Sequence, residues 1–426
     1  MTAIDAPVQQ VAAPALRLRD WKTPITLGIF AVLAIILFVG FGRDGVSTFS
    51  FAVPATDAIK VPNVPVSARG FGIAASVVAV LMAVGSFLYV RARRKTPGWY
   101  LLIYAFVLVV AFLAWSTVGH TLPITGLLAG SLALSVPLIF GSLGGIISER
   151  AGVVNIAIEG QLLAGAFVSA VAASMTHSVI VGLLAAMVAG VLVSFVLAAF
   201  SIKYYVDQVI VGVVINVLVL GLTNFLYQTS LTQNAAKLNS PPQLPNLPIP
   251  GLSAIPVIGP VLFDQTIIVY LMYIAVFAVF FGLFFTRWGL RLRSVGEHPQ
   301  AADTVGINVN GTRFWNVSLA GAIVGLGGAY FTLGSVGAFT EDVTSGAGYI
   351  ALAAVIFGRW NPLTATAAAL LFGFASDLQS VLGIVGSPVP SQFMLMLPYV
   401  VTILAVAGFV GYVRGPAASG KPYIKS

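Results

Sequence analysis

None of the 426 residues is cysteine. That excludes disulfides, thiolate-ligated metals and thiol nucleophiles, and it removes redox chemistry as a guide to compartment. Charge is nearly as scarce. Asp, Glu, Lys and Arg make up 8% of the chain, and there are 3 histidines. No GxxxxGK[ST] phosphate loop occurs, so nucleotide hydrolysis by such a loop has no basis in this sequence. No metal-ligand cluster or activated nucleophile stands out by its spacing, which disfavours an intramembrane enzyme. Residues 1–20 lack the short apolar core and cleavage site of a signal peptide and are expected to be a disordered tail.

What the chain does have is apolar length. Hydrophobic residues make up 58% of it and the mean hydropathy is +1.00. A soluble domain rarely exceeds about half. Runs of about 18 or more apolar residues recur along most of the chain, the mark of membrane-spanning helices. Twelve spans are expected: 24–41, 70–90, 98–117, 124–147, 153–175, 179–200, 208–229, 265–285, 314–334, 346–358, 362–384 and 393–413. The tenth is short enough to be a half-helix or re-entrant piece. The fold class is therefore an all-α polytopic membrane protein.

The placement of basic residues orients these spans. Seventeen of the 21 Lys and Arg fall on one set of alternate segments, leaving Arg43, Lys60, Arg69 and Lys237 on the other. Both termini are thus expected in the cytoplasm, with "RARRK" (91–95) as the clearest anchor, and the chain in the cell membrane. Two longer loops, 42–69 and 230–264, are expected outside. The second holds "NSPPQLPNLPIPGLSAIPVIGP", whose prolines favour extended backbone. It reads equally as a linker or as a cap that docks an external partner. His120 and His177 sit at outer span ends and read as interfacial anchors.

Two polar segments interrupt this pattern. "GLRLRSVGEHPQAADTVGINV" (289–309) places Arg291, Arg293, Glu297, His298 and Asp303 in one cytoplasmic stretch. Pro299 suits a helix first turn and Gly306 a left-handed stop. The spacing predicts a helix over 299–305 with Ala301, Ala302 and Val305 on one face. So short a helix needs a surface to pack on, either the protein's own helices or a groove on another protein. The second segment, 148–159, carries Glu149, Arg150, Asn155 and Glu159 near membrane depth, where ionisable groups face a cavity or a partner. If helical, it aligns Ser148, Gly152, Asn155 and Glu159 in one stripe. Gly144, Gly145 and Gly152 could break it, and Pro137 could kink the span before it. The stripe reads as pathway lining, or as end caps and hydrogen bonds between helices. The seventh span offers a further stripe of Gln208, Gly212, Asn216, Thr223 and Tyr227. Asp207 is expected in solvent, and Glu341 and Asp342 on the outer face. A faint echo links "LGGIISERAGVVNIA" to "LGSVGAFTEDVTSGAGYIALA", as internal repeats of transporters do.

The 289–309 segment resembles the cytoplasmic coupling segment of ABC importer permeases of the sugar/nucleoside and branched-chain amino-acid superfamily. "SERAGVVNIAIEGQLLAGAF" (148–167) resembles the signature of its nucleoside-type branch. "GAGYIALAAVIFGRWNP" (346–362) and "DQVIVGVVINVLVLGLTNF" (207–225) extend the match in order. The resemblance implies a ten-span permease core over 98–413, with the coupling segment at 286–313. A two-span extension (24–97) would precede it, and tails 1–23 and 414–426 would flank it. It implies a subunit that is not itself an enzyme and binds no cofactor, ATP being bound and hydrolysed by a separate cytoplasmic subunit. Further implied partners are a second, related permease chain and an extracellular solute-binding lipoprotein; no nucleic acid is expected. Glu297, His298, Pro299, Ala301, Ala302, Asp303 and Gly306 would carry ATPase coupling. Ser148, Glu149, Asn155, Glu159, Gln208 and Asn216 would line the route of a nucleoside or simple sugar. An ion-coupled secondary transporter is the competing reading, since polar stripes in broken helices suit that class as well.

Overall fold

The computed structural model describes residues 21–51, 61–387, 389–390, 392–394, 396 and 415–425. The expected first tail and most of the expected span 393–413 lie outside these. The chain forms two compact units, Met1–Phe49 with Val64–Leu122, and Ser50–Asn63 with Pro123–Ser426.

The first unit contains α1 (Lys22–Gly40, its last turn π-helical), α2 (Ala68–Arg91) and α3 (Gly98–Ser116). Between α1 and α2 runs an antiparallel ribbon of β1 (Val46–Ser50) and β2 (Val64–Ser67), with Val46 opposite Ser67. β3 (Thr121–Pro123) lies on the other edge of β1. Ser67 ends the ribbon and starts α2, its hydroxyl accepting from the Gly70 amide, as an N-cap does. Leu27, Ala31, Ala79 and Tyr104 form a small core, locked by a hydrogen bond from the Tyr104 hydroxyl to the Leu27 carbonyl at 2.7 Å. Most other apolar side chains point outward; Leu102 and Phe106 are 73% and 69% exposed. That surface suits hydrocarbon, not water. Contacts group α3 with α1 and α2, although the sequence reading begins the core at residue 98.

The second unit holds α4 (Ile124–Arg150), α5 (Ile158–Thr176), α6 (Val179–Lys203) and α7 (Gln208–Leu231). Next come α8 (Ala235–Leu238), β4 (Asn246–Pro248) paired antiparallel with β5 (Asp264–Thr266), and α9 (Ile267–Phe285). Two short helices follow, α10 (Arg287–Glu297) and α11 (Pro299–Thr304). α12 (Val309–Val336), α13 (Ala347–Phe357) and α14 (Pro362–Val385) complete it. Capping side chains set several of these starts. Asp207 accepts from the Val209 amide, Thr286 from Gly289, Asn308 from Gly311 and Asn361 from Leu363. Asp207 is therefore a cap as well as an exposed carboxylate.

The core sits where α4, α5 and α12 meet their neighbours. α5, α6 and α12 approach backbone to backbone: a Cβ added at Gly165 or Gly190 would lie 2.8 or 3.0 Å from the Gly325 Cα. In lipid, where apolar burial drives little association, such close packing holds helices together. α4 continues as helix through Pro137.

Ten helices among the described residues are long and apolar enough to cross a membrane, and they coincide with ten of the expected spans within a turn or two. The tenth expected span, α13, is a half-length piece. Its 11 residues reach about 16 Å at 1.5 Å each, against about 30 Å of hydrocarbon. It runs parallel to the second half of α4, with Ala351 against Gly141 and Val355 against Gly145. The segment before it descends into the bundle and is pinned by the proline-rich loop. The Asn239 side chain donates to the Phe339 carbonyl at 2.9 Å and accepts from the Phe339 amide at 2.7 Å. The Leu244 amide donates to the Leu333 carbonyl. That loop is thus a packed cap on this end of the unit.

Candidate functional site

The two polar segments meet at one end of the second unit. α4 stops at Arg150, and Gly152 takes φ +90°, a backbone that glycine adopts without steric cost. Residues 151–157 fold back before α5 begins. The expected helical stripe over 148–159 is therefore absent. A different geometry gathers its residues. The Asn155 side-chain amide donates to Gln161 Oε1 at 3.1 Å and faces Ser148 Oγ at 3.5 Å, and Gln161 Nε2 donates to Ser194 Oγ at 2.9 Å. The result is a buried polar chain across α4, α5 and α6.

Side chains of α7 hold the fold-back in place. Gln208 Oε1 accepts from the Val154 amide at 2.7 Å. Asn216 Oδ1 accepts from the Gly160 amide at 2.8 Å, while its Nδ2 donates to the Ile156 carbonyl at 2.9 Å and to the Tyr349 hydroxyl at 3.2 Å. Backbone groups that leave a helix inside a membrane must be satisfied by protein, and these two residues do so. Thr223, further along α7, bonds back to the Val219 carbonyl of its own helix, and Tyr227 packs on Phe339. Neither joins the polar chain.

Glu159 stands apart from Asn155. It caps the buried start of α13, where amide groups would otherwise lack acceptors. Its Oε1 accepts from the Thr344 hydroxyl at 2.6 Å and the Gly346 amide at 2.9 Å, and its Oε2 from the Gly348 amide at 2.6 Å. A carboxylate at a helix N-terminus is favoured by the helix dipole, which offsets the cost of burying it.

The other end of α13 meets the end of α4. Trp360 Nε1 donates to Glu149 Oε2 at 2.5 Å. Arg150 Nε and Nη2 donate to the Trp360 carbonyl at 3.2 and 3.1 Å. Arg150 also lies 3.9 Å from Glu297 of α10. A path of direct contacts therefore runs from α10 through Arg150 and Trp360 along α13 to Glu159.

The 286–308 segment is two short helices at an angle. Leu292 and Val295 of α10 are buried, while Leu290 is 62% exposed. In α11, after Pro299, the expected common face of Ala301, Ala302 and Val305 is split. Ala302 is buried against Val295 and Val309, whereas Ala301 and Val305 face outward. With only one and a half turns, α11 uses Ala302 to hold on to the protein itself. Gly306 has φ +84°, and the Ile307 amide donates to the Ala302 carbonyl at 3.0 Å, the expected left-handed stop. Between α10 and α11 lies a groove of about 410 Å³, lined by Leu290, Ala301, Val305 and Ile307 with Arg291 and His298.

All six expected pathway residues are buried: Ser148, Glu149, Asn155, Glu159, Gln208 and Asn216. Sequence reasoning missed Gln161, Ser194, Trp360 and Arg313. Gln161 carried a signal, being a polar side chain inside an apolar run.

Residues 127–406 match the family model described as branched-chain amino acid transport system / permease component. The chain is 43% identical over 309 residues to the guanosine ABC transporter permease protein NupQ of Bacillus subtilis, covering 69% of this chain and 95% of that protein. It is 41% identical to the nucleoside ABC transporter permease protein NupC of Lactococcus lactis, over 70% of this chain and 97% of that one. The putative glucose ABC transporter permease protein TsgC13 of Haloferax volcanii is 34% identical over 60% of this chain and 77% of its own length. No solved structure matches the chain. With more than half of its length on the family model and relatives above two-fifths identical, this multi-pass membrane protein belongs to the branched-chain amino acid transport system permease family.

Proposed function

We propose that this chain is the transmembrane permease subunit of an ATP-driven importer for a nucleoside or a simple sugar. An external binding protein delivers the cargo, and a separate cytoplasmic subunit hydrolyses ATP. The observation that carries this reading is the α10–α11 segment. It presents an apolar groove outward and is joined, through Glu297, Arg150 and Trp360, to a half-helix that ends inside the bundle. An outward groove needs an occupant, and the contact path gives that occupant mechanical access to the interior. The names of the matched permeases support a nucleoside or sugar as cargo.

In this reading the groove face is cytoplasmic, as the bias of Lys and Arg toward it supports. The proline-rich cap is external, where Leu247, Leu252 and Ile258 stand exposed for a lipid-anchored binding protein. A second, related permease chain completes the pathway. Within this chain, Ser148, Asn155, Gln161 and Ser194 supply the polar groups beside it, and Glu159 and Asn216 set its walls by fixing α13 and the fold-back. Glu297, His298, Pro299, Ala301, Asp303 and Gly306 form or shape the ATPase contact, and Ala302 anchors it.

The test is purification of the chain with its ATPase and binding protein, then ATPase stimulation across a panel of nucleosides and sugars. Stimulation by one class at micromolar cargo is expected. A complex that forms but responds to no member of the panel would sink the importer reading.

A further inference from the structure

Residues 415–425 do not trail away from the protein. The Ala418 amide donates to the Gly296 carbonyl at 2.9 Å, and the Ala417 amide to Glu297 Oε2 at 3.2 Å. The Lys421 carbonyl accepts from Arg313 Nη1 at 3.0 Å. Tyr423 is buried with Val295, Ala302 and Val309. Lys425 stands 4.0 Å from Asp303. Gly420 lies beside Val154 of the fold-back, and Gly415 against the Trp360 indole. One stretch of chain thus touches α10, α11, the base of α12, the 151–157 fold-back and the end of α13.

Arg313 shows which contacts matter. It is 1% exposed, and its Nε and Nη2 have no acceptor. The Lys421 carbonyl is the one hydrogen-bond partner it meets among the described residues. A buried guanidinium is costly unless it is paired. Its guanidinium also lies over Gly152, where a Cβ would come within 2.8 Å of Nη2. The same side chain therefore holds the C-terminal stretch and backs the turn that shapes the polar chain. The Lys425–Asp303 pair is largely exposed on the lysine side and contributes little. Tyr423 and the Arg313–Lys421 bond are the anchors.

We infer that residues 415–425 are a positioning strap. They hold α10–α11 against the fold-back, so that displacement of the ATPase contact moves the polar chain and is not lost in a loose joint. The inference rests on the reading of α10–α11 as the ATPase contact. It predicts an effect on coupling, not on binding of the ATPase.

The experiment uses the transporter reconstituted with its ATPase and binding protein. Variants are Tyr423→Ala, Tyr423→Phe and a chain stopped after residue 414. Three quantities are read: ATPase subunit retained on purification, cargo moved per ATP hydrolysed, and amide exchange of residues 299–306 and 151–157. Tyr423→Ala and the shortened chain should retain the ATPase subunit but move about tenfold less cargo per ATP. Both segments should exchange faster. Tyr423→Phe keeps the apolar anchor and should restore all three readings. Unchanged cargo per ATP would overturn the strap. So would loss of the ATPase subunit, which would make these residues part of the docking surface, and so would increased transport, which would make them an inhibitory cover. A parallel Leu290→Glu variant separates the two ideas. If it retains the ATPase subunit fully, the docking reading fails and the coupling role with it, while the exchange data still show whether residues 415–425 hold α10–α11 against the fold-back.

Discussion

Glu159 offers three donors a single place to go, and this fixes what its replacement should do. Glu159→Gln keeps the shape but turns one carboxylate oxygen into an NH2 group. The Gly348 amide, which donates to Oε2 at 2.6 Å, would then face a donor. An unsatisfied buried donor costs about 1–3 kcal/mol. The variant is therefore expected to lower the thermal midpoint of the purified protein as well as uptake. A midpoint equal to the parent's would show that the capping bonds are not what holds α13. Gly152→Ala is a second case. It forces a side chain into φ +90° and toward the Arg313 guanidinium. A loss of about 1–3 kcal/mol follows from the backbone alone, readable as a lower midpoint with insertion unchanged. Glu159 was visible in the sequence as a polar side chain near an apolar run, and Gly152 as a possible break. Their arrangement was not, because counting i, i+4 and i+7 presumes an unbroken helix, and Gly152 ends it.

At the scale of elements, α11 separates two roles that neighbouring alanines share in the sequence. Ala302 is packed against Val295, Val309 and Tyr423, so Ala302→Leu overfills its site at about 1–3 kcal/mol. Ala301 faces the groove, so Ala301→Leu should leave the midpoint unchanged and act on ATPase association. Comparing midpoint and co-purification for the two variants checks the split; identical behaviour would mean that α11 has no inner and outer face. The helix itself was legible from Pro299 and Gly306, whose backbone preferences are local. Which alanine turned inward was not, because that depends on Val309 and Tyr423, which no pattern within the loop reveals. The short run 346–358 similarly told its length but not its direction. The direction came from Gly141 and Gly145 on α4.

For the whole molecule, the alternation of spans and the bias of Lys and Arg lead us to expect Arg94 and the C-terminal stretch on one side and Ser240 on the other. The absence of cysteine makes this direct to check. In intact cells an impermeant thiol reagent should label Ser240→Cys and leave Arg94→Cys and Ala417→Cys unlabelled until the cells are opened. Labelling at 94 with protection at 240 would invert the topology. Span positions were readable because a bilayer demands long apolar runs whatever their neighbours. What surrounds what was not. The close approach of Gly165, Gly190 and Gly325 depends on surfaces that residue type alone does not pair, and the packing of residues 415–425 on α10 joins segments more than a hundred positions apart.

α13 is gripped at both ends and has the axial stiffness of any regular helix. Its N-terminal end is seated on Glu159, and its C-terminal end is clasped through Trp360 by Glu149 and Arg150. Such a rod does not bend under a push along its length; it slides. An ångström of travel imposed at Trp360 would arrive at Glu159 as an ångström, about 16 Å deeper. Depth along that rod is therefore not insulation: the residue furthest from the α10–α11 face is still joined to it by a stiff element.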